Sequence, residues 1–371
     1  MQQRLLIIGC GDIGLRIVHR IRQQFKAYQC YTLSHTQQRF EQLREAGVMP
    51  IKGDLDNYLS LKDLIRLMPL FNKIIHLAPP PKQGTHDTRT QNLIRAIEYG
   101  RSRYLSYGRK YISYISPASR LKYAWQGQIK HQIMNQTKNQ RVSFSYVSHI
   151  PHVFQAQKLS FTQTQKSGCL AKLKLIYIST TGVYGNRYGD WLDETSIVKA
   201  QTPRALRRLS AEKQLRNWAK KSFRNICMSI LRVPGIYSLQ SLPLDRLSSG
   251  VAVITPKEDS YTNRIHADDL AAVILCALVK GRPQRIINAC DGKPSLIGDM
   301  FDALADWAKL PRLPRISKKE YEQNIAPLNQ MSWSFMQESR RVSNNRLLSE
   351  YCYRFQYCDF YDFLSKQKLN H

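Results

Sequence analysis

The stretch "RLLIIGCGDIGLRIV", residues 4–18, constrains the fold of this 371-residue chain more than any other. Its first half is a short apolar run of strand type, and "LRIVHRIRQQF" has helical spacing. Between them Gly9, Gly11 and Gly14 make G-x-G-x-x-G. That spacing suits a chain that must turn tightly, let its backbone approach a pyrophosphate, and pack a helix closely on a strand. The helix N-terminus then offers free N–H groups and the positive end of its dipole to the anion. Gly9, Gly11, Asp12, Ile13 and Gly14 therefore read as a dinucleotide-binding loop for NAD or NADP, with a plain strand–helix turn as the alternative.

The first hundred residues continue in alternation. "CYTLSH" is a second strand, "RFEQLREAG" a helix ending at Gly47, "VMPIKGDL" a third strand and "NKIIHLAP" a fourth. Alternation of this kind gives right-handed crossovers and a parallel sheet, so the expected class is α/β, a Rossmann-type doubly wound fold. The second strand ends in Ser34, His35 and Thr36, with Arg39 just beyond. A carboxylate there would accept the ribose 2′-hydroxyl of NAD. Its absence and the nearby cations lean toward the 2′-phosphate of NADP, against a solvated loop. Asp54 in "GDLD", followed by Leu55, stands either at an adenine contact or at a helix N-cap.

Charge then marks a boundary. The formal net charge is +29, and from Arg101 to Lys174 there are 13 Lys or Arg and no Asp or Glu. After the helical "TRTQNLIRAIEYG", residues 101–170 lose all steady period, and strand–helix logic resumes at "LKLIYISTTGVYG". Excising the segment joins helix to strand normally, so it reads as a basic insertion. Tyr111, Tyr114, Tyr123 and Trp125 interleave with its cations, which leaves a single-strand nucleic-acid arm and an oligomer contact as alternatives. No RNP-like, zinc or helix-turn-helix signature accompanies it, and nucleic acid is the least favoured partner.

Composition excludes other classes. The longest apolar run, "LAAVILCALV" at 270–279, is about half of what a membrane span needs, so no membrane partner is expected. The apolar start is too short for a secretion signal, and the eight cysteines form no C-x-x-C pair. Reduced thiols, no metal site and a cytoplasmic setting are expected.

With "IIGCGDIG", "GDLD", "HLAP", "YISTTGVYG", "LRVPGIY" and "NRIHADDLA" in this order, the chain resembles the short-chain dehydrogenase/reductase superfamily. It looks like the extended, NAD-dependent epimerase/dehydratase branch, over about residues 1–100 and 171–360. The resemblance implies a Rossmann domain at 1–100 and 171–235, and a small C-terminal substrate lobe mainly within 236–371. The elements around 265–290 would return to the core. It sets His76, Leu77, Ala78 and Pro79 against the cofactor ribose and puts Thr180 at the catalytic Ser or Thr. Aligning the family's Ala-Glu with Ala211–Glu212 puts Arg204 at the catalytic tyrosine and Arg208 at the lysine.

There the chain departs from the family. Arginine keeps its proton near neutral pH, so Arg204 cannot be the base that the tyrosine is. The Tyr-x-x-x-Lys at Tyr58–Lys62 precedes the fourth strand and is on the wrong element. "TPRALRRLSAEK" puts Arg204, Arg207 and Arg208 on one helix face, which either grips an anionic substrate or is solvated. Tyr184 and Tyr188 are the nearest phenols, and His266 is a further titratable candidate beside a capping role. Asp268 and Asp269 suit the start of the next helix. Arg340, Arg341 and Asn344 are either substrate contacts or a charged turn. The expected partners are a small-molecule substrate, anionic or a nucleotide sugar, and a second copy in a homodimer. The expected function is an NAD(P)-dependent oxidoreductase or epimerase-like protein with a non-standard site; the alternative is a non-catalytic NAD(P)-binding sensor.

Overall fold

The structure is a computed structural model that describes residues 3–25, 27–114, 172–221, 226–327, 333–334 and 336–367. The chain divides into two units, Met1–Ile97 with Lys172–His371, and Glu98–Ala171. In the second unit the described residues, 98–114, are helical. Tyr123 and Trp125, with the rest of 115–171, lie outside the described residues.

The first unit is built on a seven-stranded sheet. Its strands are β1 (Gln3–Ile8), β2 (Tyr28–Ser34), β3 (Val48–Lys52), β4 (Lys73–His76), β5 (Leu173–Thr180), β6 (Ile226–Val233) and β7 (Arg285–Asn288). The order is β7-β6-β5-β4-β1-β2-β3, and every pairing is parallel. A parallel sheet covered on both faces asks for strands apolar on both sides. β6, "ICMSILRV", is buried at all eight positions. This is the doubly wound Rossmann fold that the alternation predicts.

Helices supply the covers. α1 (Asp12–Gln24) buries Gly14, Ile17, Val18 and Ile21, one face at helical spacing, and leaves its arginines and glutamines outside. α2 (Phe40–Glu45) and α3 (Lys62–Leu67) are short. α4 spans Thr88–Tyr114, so the helix expected to end at Gly100 runs on; Gly100 does not take the left-handed φ that terminates helices. α5 (Pro203–Lys221) lies against β5 and β6. α6 (Ala267–Lys280) is apolar nearly all round and packs against α1 and β5. Its C-cap is Gly281, whose N–H donates to the Ala277 carbonyl; a Cβ there would lie 2.3 Å from that oxygen, so the position takes glycine for space and not for φ.

Beyond the sheet, α7 (Ile297–Ala308) and α9 (Phe360–Lys366) share a separate core with Tyr237, Phe301 and Phe363. Between them in sequence, α8 (Asn345–Tyr351) returns Leu347 and Tyr351 to the core of the sheet. Each fully buried Leu or Ile in these cores contributes about 1.5–3 kcal/mol. Among the described residues, no helix is long and apolar enough to cross a membrane and no cluster of side chains could hold a metal ion. The seven described cysteines are free thiols.

Candidate functional site

The strand order reverses between β1 and β4, the place where a doubly wound sheet opens a crevice at its carboxyl end. Both strand ends are clamped there, because the N–H groups of Leu77 and Ala78 each donate to the Ile8 carbonyl at 2.8 Å. Each glycine of the loop has its own reason. Gly9 has φ +91°, and a Cβ on it would lie 2.6 Å from the Ala78 nitrogen. A Cβ on Gly14 would lie 3.0 Å from Cys10 Sγ, which is the close helix–strand packing. A Cβ on Gly11 would meet nothing within 4 Å. The room beside Gly11 is space the protein leaves unused.

Gly11 is also the N-cap of α1, and no side chain caps that helix. Its first-turn N–H groups therefore await partners beside a cleft of about 510 Å³. Gly9, Gly11, Asp12, Ile13 and Gly14 line it on one side, and Leu77, Ala78 and Pro79 on another. The Asp12 carboxylate is engaged elsewhere: Arg16 holds it at 3.0 Å and reaches Asp268 at 2.7 Å. These residues fit a dinucleotide, with backbone donors for the pyrophosphate and space to admit it.

At the outer end of the cleft, Ser34, His35, Thr36 and Arg39 form the wall. Arg39 donates to the Cys10 carbonyl at 3.1 Å, which folds its guanidinium over the glycine loop. Asp54 and Leu55 line the same cleft. Asp54 is not a helix cap: its carboxylate accepts from the Asp56 N–H at 3.0 Å, and the cap of the following turn is Asn57. Arg89 grips Asp56 through two bonds at 2.7 and 2.6 Å and donates to the Pro79 carbonyl at 3.1 Å. It lines the cleft too, and nothing in the local sequence marks it.

His76 does not reach the cleft. It is fully buried, with Nε2 3.1 Å from Thr90 Oγ1, whose hydroxyl donates to Asp87 at 2.9 Å. Burial, with Arg208 nearby, pushes the imidazole down to about 3, so it is neutral.

A second cleft of about 530 Å³ shares Pro79, Ile178, Arg208 and Ile236 with the first. Thr180 stands on its wall, where its Oγ1 accepts from the Gly182 N–H at 3.1 Å and caps a 3₁₀ turn. Lys82, Arg204, Arg207, Arg208 and Arg340 line it against one carboxylate, Glu338. Arg208 turns its guanidinium to the Ile178 carbonyl at 2.8 Å, and it lies 3.3 Å from the Tyr177 hydroxyl. Arg207 donates to the Gly84 carbonyl at 2.7 Å. Burial lowers the pKa of Arg204, Glu338 opposes that, and its three arginine neighbours add to it. Crowded like charges of this kind are relieved by an anion.

Behind this wall, Ser179 donates to Glu212 at 2.5 Å, and Glu212 is held by Arg232 at 3.1 and 2.8 Å. Both partners of that ion pair are buried. Arg232 also lies over the Tyr184 ring at 4.8 Å.

The remaining candidates have other duties. Tyr184 is fully buried and donates to Asn288 at 2.8 Å, so it supports the core. Tyr188 is 90% exposed, outside both clefts. His266 is the N-cap of α6, accepting the Asp268 N–H at Nδ1, and packs among Tyr237, Tyr357 and Phe363. Burial pushes it down to about 4. Asp269 is more than a dipole partner: it accepts from Tyr353, Gln356 and Tyr357 at 2.7–3.1 Å and so ties down the C-terminal segment. Arg341 is stacked between Trp191 and Tyr261, and Asn344 is buried on the Cys290 carbonyl at 2.9 Å. Of the three C-terminal candidates, Arg340 alone lines a cleft. Tyr58, in the 3₁₀ turn after β3, and Lys62, the first residue of α3, line neither cleft.

No family model and no curated protein matches this sequence. Solved structures do. A functionally unknown conserved protein from Silicibacter pomeroyi is 20% identical, covers 98% of this chain and 97% of its own, and has a TM-score of 0.62. The dTDP-glucose 4,6-dehydratase of Bacillus anthracis, in complex with NAD, is 12% identical over 98% and 94%, with a TM-score of 0.63. The UDP-glucuronic acid 4-epimerase of Bacillus cereus, in complex with NAD, is 14% identical over 98% and 96%, with a TM-score of 0.62. Likeness at these identities is a likeness of fold. The chain carries the same Rossmann-type α/β fold as this dehydratase and this epimerase.

Proposed function

We propose that this chain is an epimerase-like NAD(P)-binding protein that holds an anionic small molecule of nucleotide-sugar class beside the cofactor. The observation that carries the reading is the uncapped N-terminus of α1, with open space at Gly11, beside a cleft that shares Arg208 with a cation-lined second cleft. The N–H groups of the first turn bind the pyrophosphate, and Asp54 and Leu55 flank the adenine. His35 and Arg39, in a β2 terminus without a carboxylate, favour the 2′-phosphate of NADP over NAD. When bound, the nicotinamide supplies hydride transfer. Arg208 sets a positive charge at the junction of the clefts, and Arg204 holds the anionic group of the substrate. Thr180 keeps its hydroxyl hydrogen available for a substrate oxygen. The setting we propose is the cytoplasm.

A second reading is a non-catalytic sensor of the same ligands, and Arg204 favours it, since a guanidinium cannot exchange a proton near neutral pH. Fluorescence titration with NADPH and NADH tests the shared part. Micromolar binding, tighter for NADPH, is expected; binding of neither overturns the proposal. Turnover of a nucleotide sugar by the NADP-loaded protein separates the two readings.

A further inference from the structure

A carboxylate in an anion-binding cleft needs a reason, because it repels the ligand that its neighbours attract. Glu338 stands among the cations of the second cleft with its side chain only 4% exposed. Its Oε2 receives Arg340 at 2.9 Å, while its Oε1 is buried with no hydrogen-bond partner among the described residues. Arg340 repeats the pattern: its NH1 serves Glu338 and the Gly185 carbonyl at 2.9 Å, and its Nε is buried with no partner among the described residues. Glu338 and Arg340, both of which line the cleft, thus carry an acceptor and a donor that no described residue uses. Buried polar atoms left in this state are costly and are ordinarily satisfied.

The segment that carries the pair is fixed, not a loose tail. The Ser339 carbonyl accepts from Arg187 N at 2.9 Å and Gly189 N at 3.2 Å, and its hydroxyl accepts from Tyr261 N at 3.0 Å. The Arg340 carbonyl accepts from the Asn263 amide at 3.0 Å. A side-chain pair held by bonds on both flanks is preorganised for a ligand.

We propose that Glu338 and Arg340 read a hydroxyl group of the anion bound in the second cleft, Glu338 accepting from it and the Arg340 Nε donating to it. The proposal rests on the reading of that cleft as an anionic-ligand site and adds the residues that select among anions. A hydroxyl is the group that gives and takes a hydrogen bond at one point, and sites built for one discriminate strongly against analogues that lack it.

The test is calorimetric titration of the full chain with UDP and with UDP-glucose, which differ in the hydroxyl-bearing sugar. The wild type is expected to bind UDP-glucose at least tenfold more tightly than UDP. Glu338→Gln should cut that ratio below threefold, with UDP itself bound no more weakly than by the wild type, since a repelling charge has been removed. Arg340→Lys, which keeps the charge and removes Nε, should do the same and serves if the first variant does not fold. An unaltered ratio in a folded variant, or equal affinities in the wild type, overturns the proposal and spares the anionic cleft. Failure of UDP itself to bind rejects the anionic cleft, and this pair with it.

Discussion

The two clefts share a wall at Arg208 but differ in what they present. The first presents backbone: N–H groups at the start of α1 that no side chain among the described residues caps, and a glycine whose missing Cβ leaves room. In the second, long side chains converge from four separated stretches, at Lys82, Thr180, Arg204–Arg208 and Glu338–Arg340. A backbone site depends on a residue type that nothing else replaces, whereas a side-chain site changes its chemistry through single substitutions.

The comparison can be broken from the second cleft first. Glu212→Ala leaves Arg232 buried without its partner behind Ser179, and removing one member of a buried pair costs about 3–5 kcal/mol. Urea unfolding should show a loss of that size; a loss below 1 kcal/mol would mean that the wall does not depend on this pair. Next comes pH. His266 titrates near 6.5 when unfolded and about 4 when folded, so its contribution is complete above pH 6.5 and is lost as pH falls through 4. His266→Asn keeps a capping side chain and removes the titration, and should flatten the decline of Tm between pH 7 and 4 by the equivalent of about 2 kcal/mol. If the variant instead changed ligand binding and left this decline unaltered, His266 would belong to the site rather than to the cap of α6.

Smaller effects sharpen the contrast between the clefts. Arg204→Ala should weaken an anionic ligand about tenfold, the worth of one charge-assisted bond, with NADPH affinity unchanged. Equal loss for both ligands would merge the two clefts into one site. Arg39→Ala should weaken NADPH by about fivefold and spare NADH, the scale of one exposed charge contact. An equal effect on both cofactors would remove the case for the 2′-phosphate.

What could be read from the sequence follows the same division. Strand–helix alternation and the G-x-G-x-x-G spacing led to the sheet and to the first cleft, because apolar periodicity and glycine are local signals. Asp54 was legible as lining but not as an Asx turn, since Asn57 competes for the cap three residues later. Arg89 was not legible, because its partner Asp56 lies 33 residues away; Glu338 was not, because only the fold brings it to the cleft that Arg204, Arg207 and Arg208 line. His266 and Tyr184 offered titratable groups on paper, and burial gave them packing duties. Arg341 was absorbed by two aromatic rings that no spacing rule brings together.

The most direct measurement is NADPH affinity and Tm for Gly11→Ala beside the wild type. A Cβ at Gly11 meets no protein atom within 4 Å, and its φ of −86° suits alanine. The account predicts a Tm within a few degrees of the wild type and NADPH binding weakened at least tenfold, because the methyl group takes space the pyrophosphate needs. Unchanged NADPH affinity with unchanged Tm would contradict it, since the open space at the start of α1 would then hold no dinucleotide.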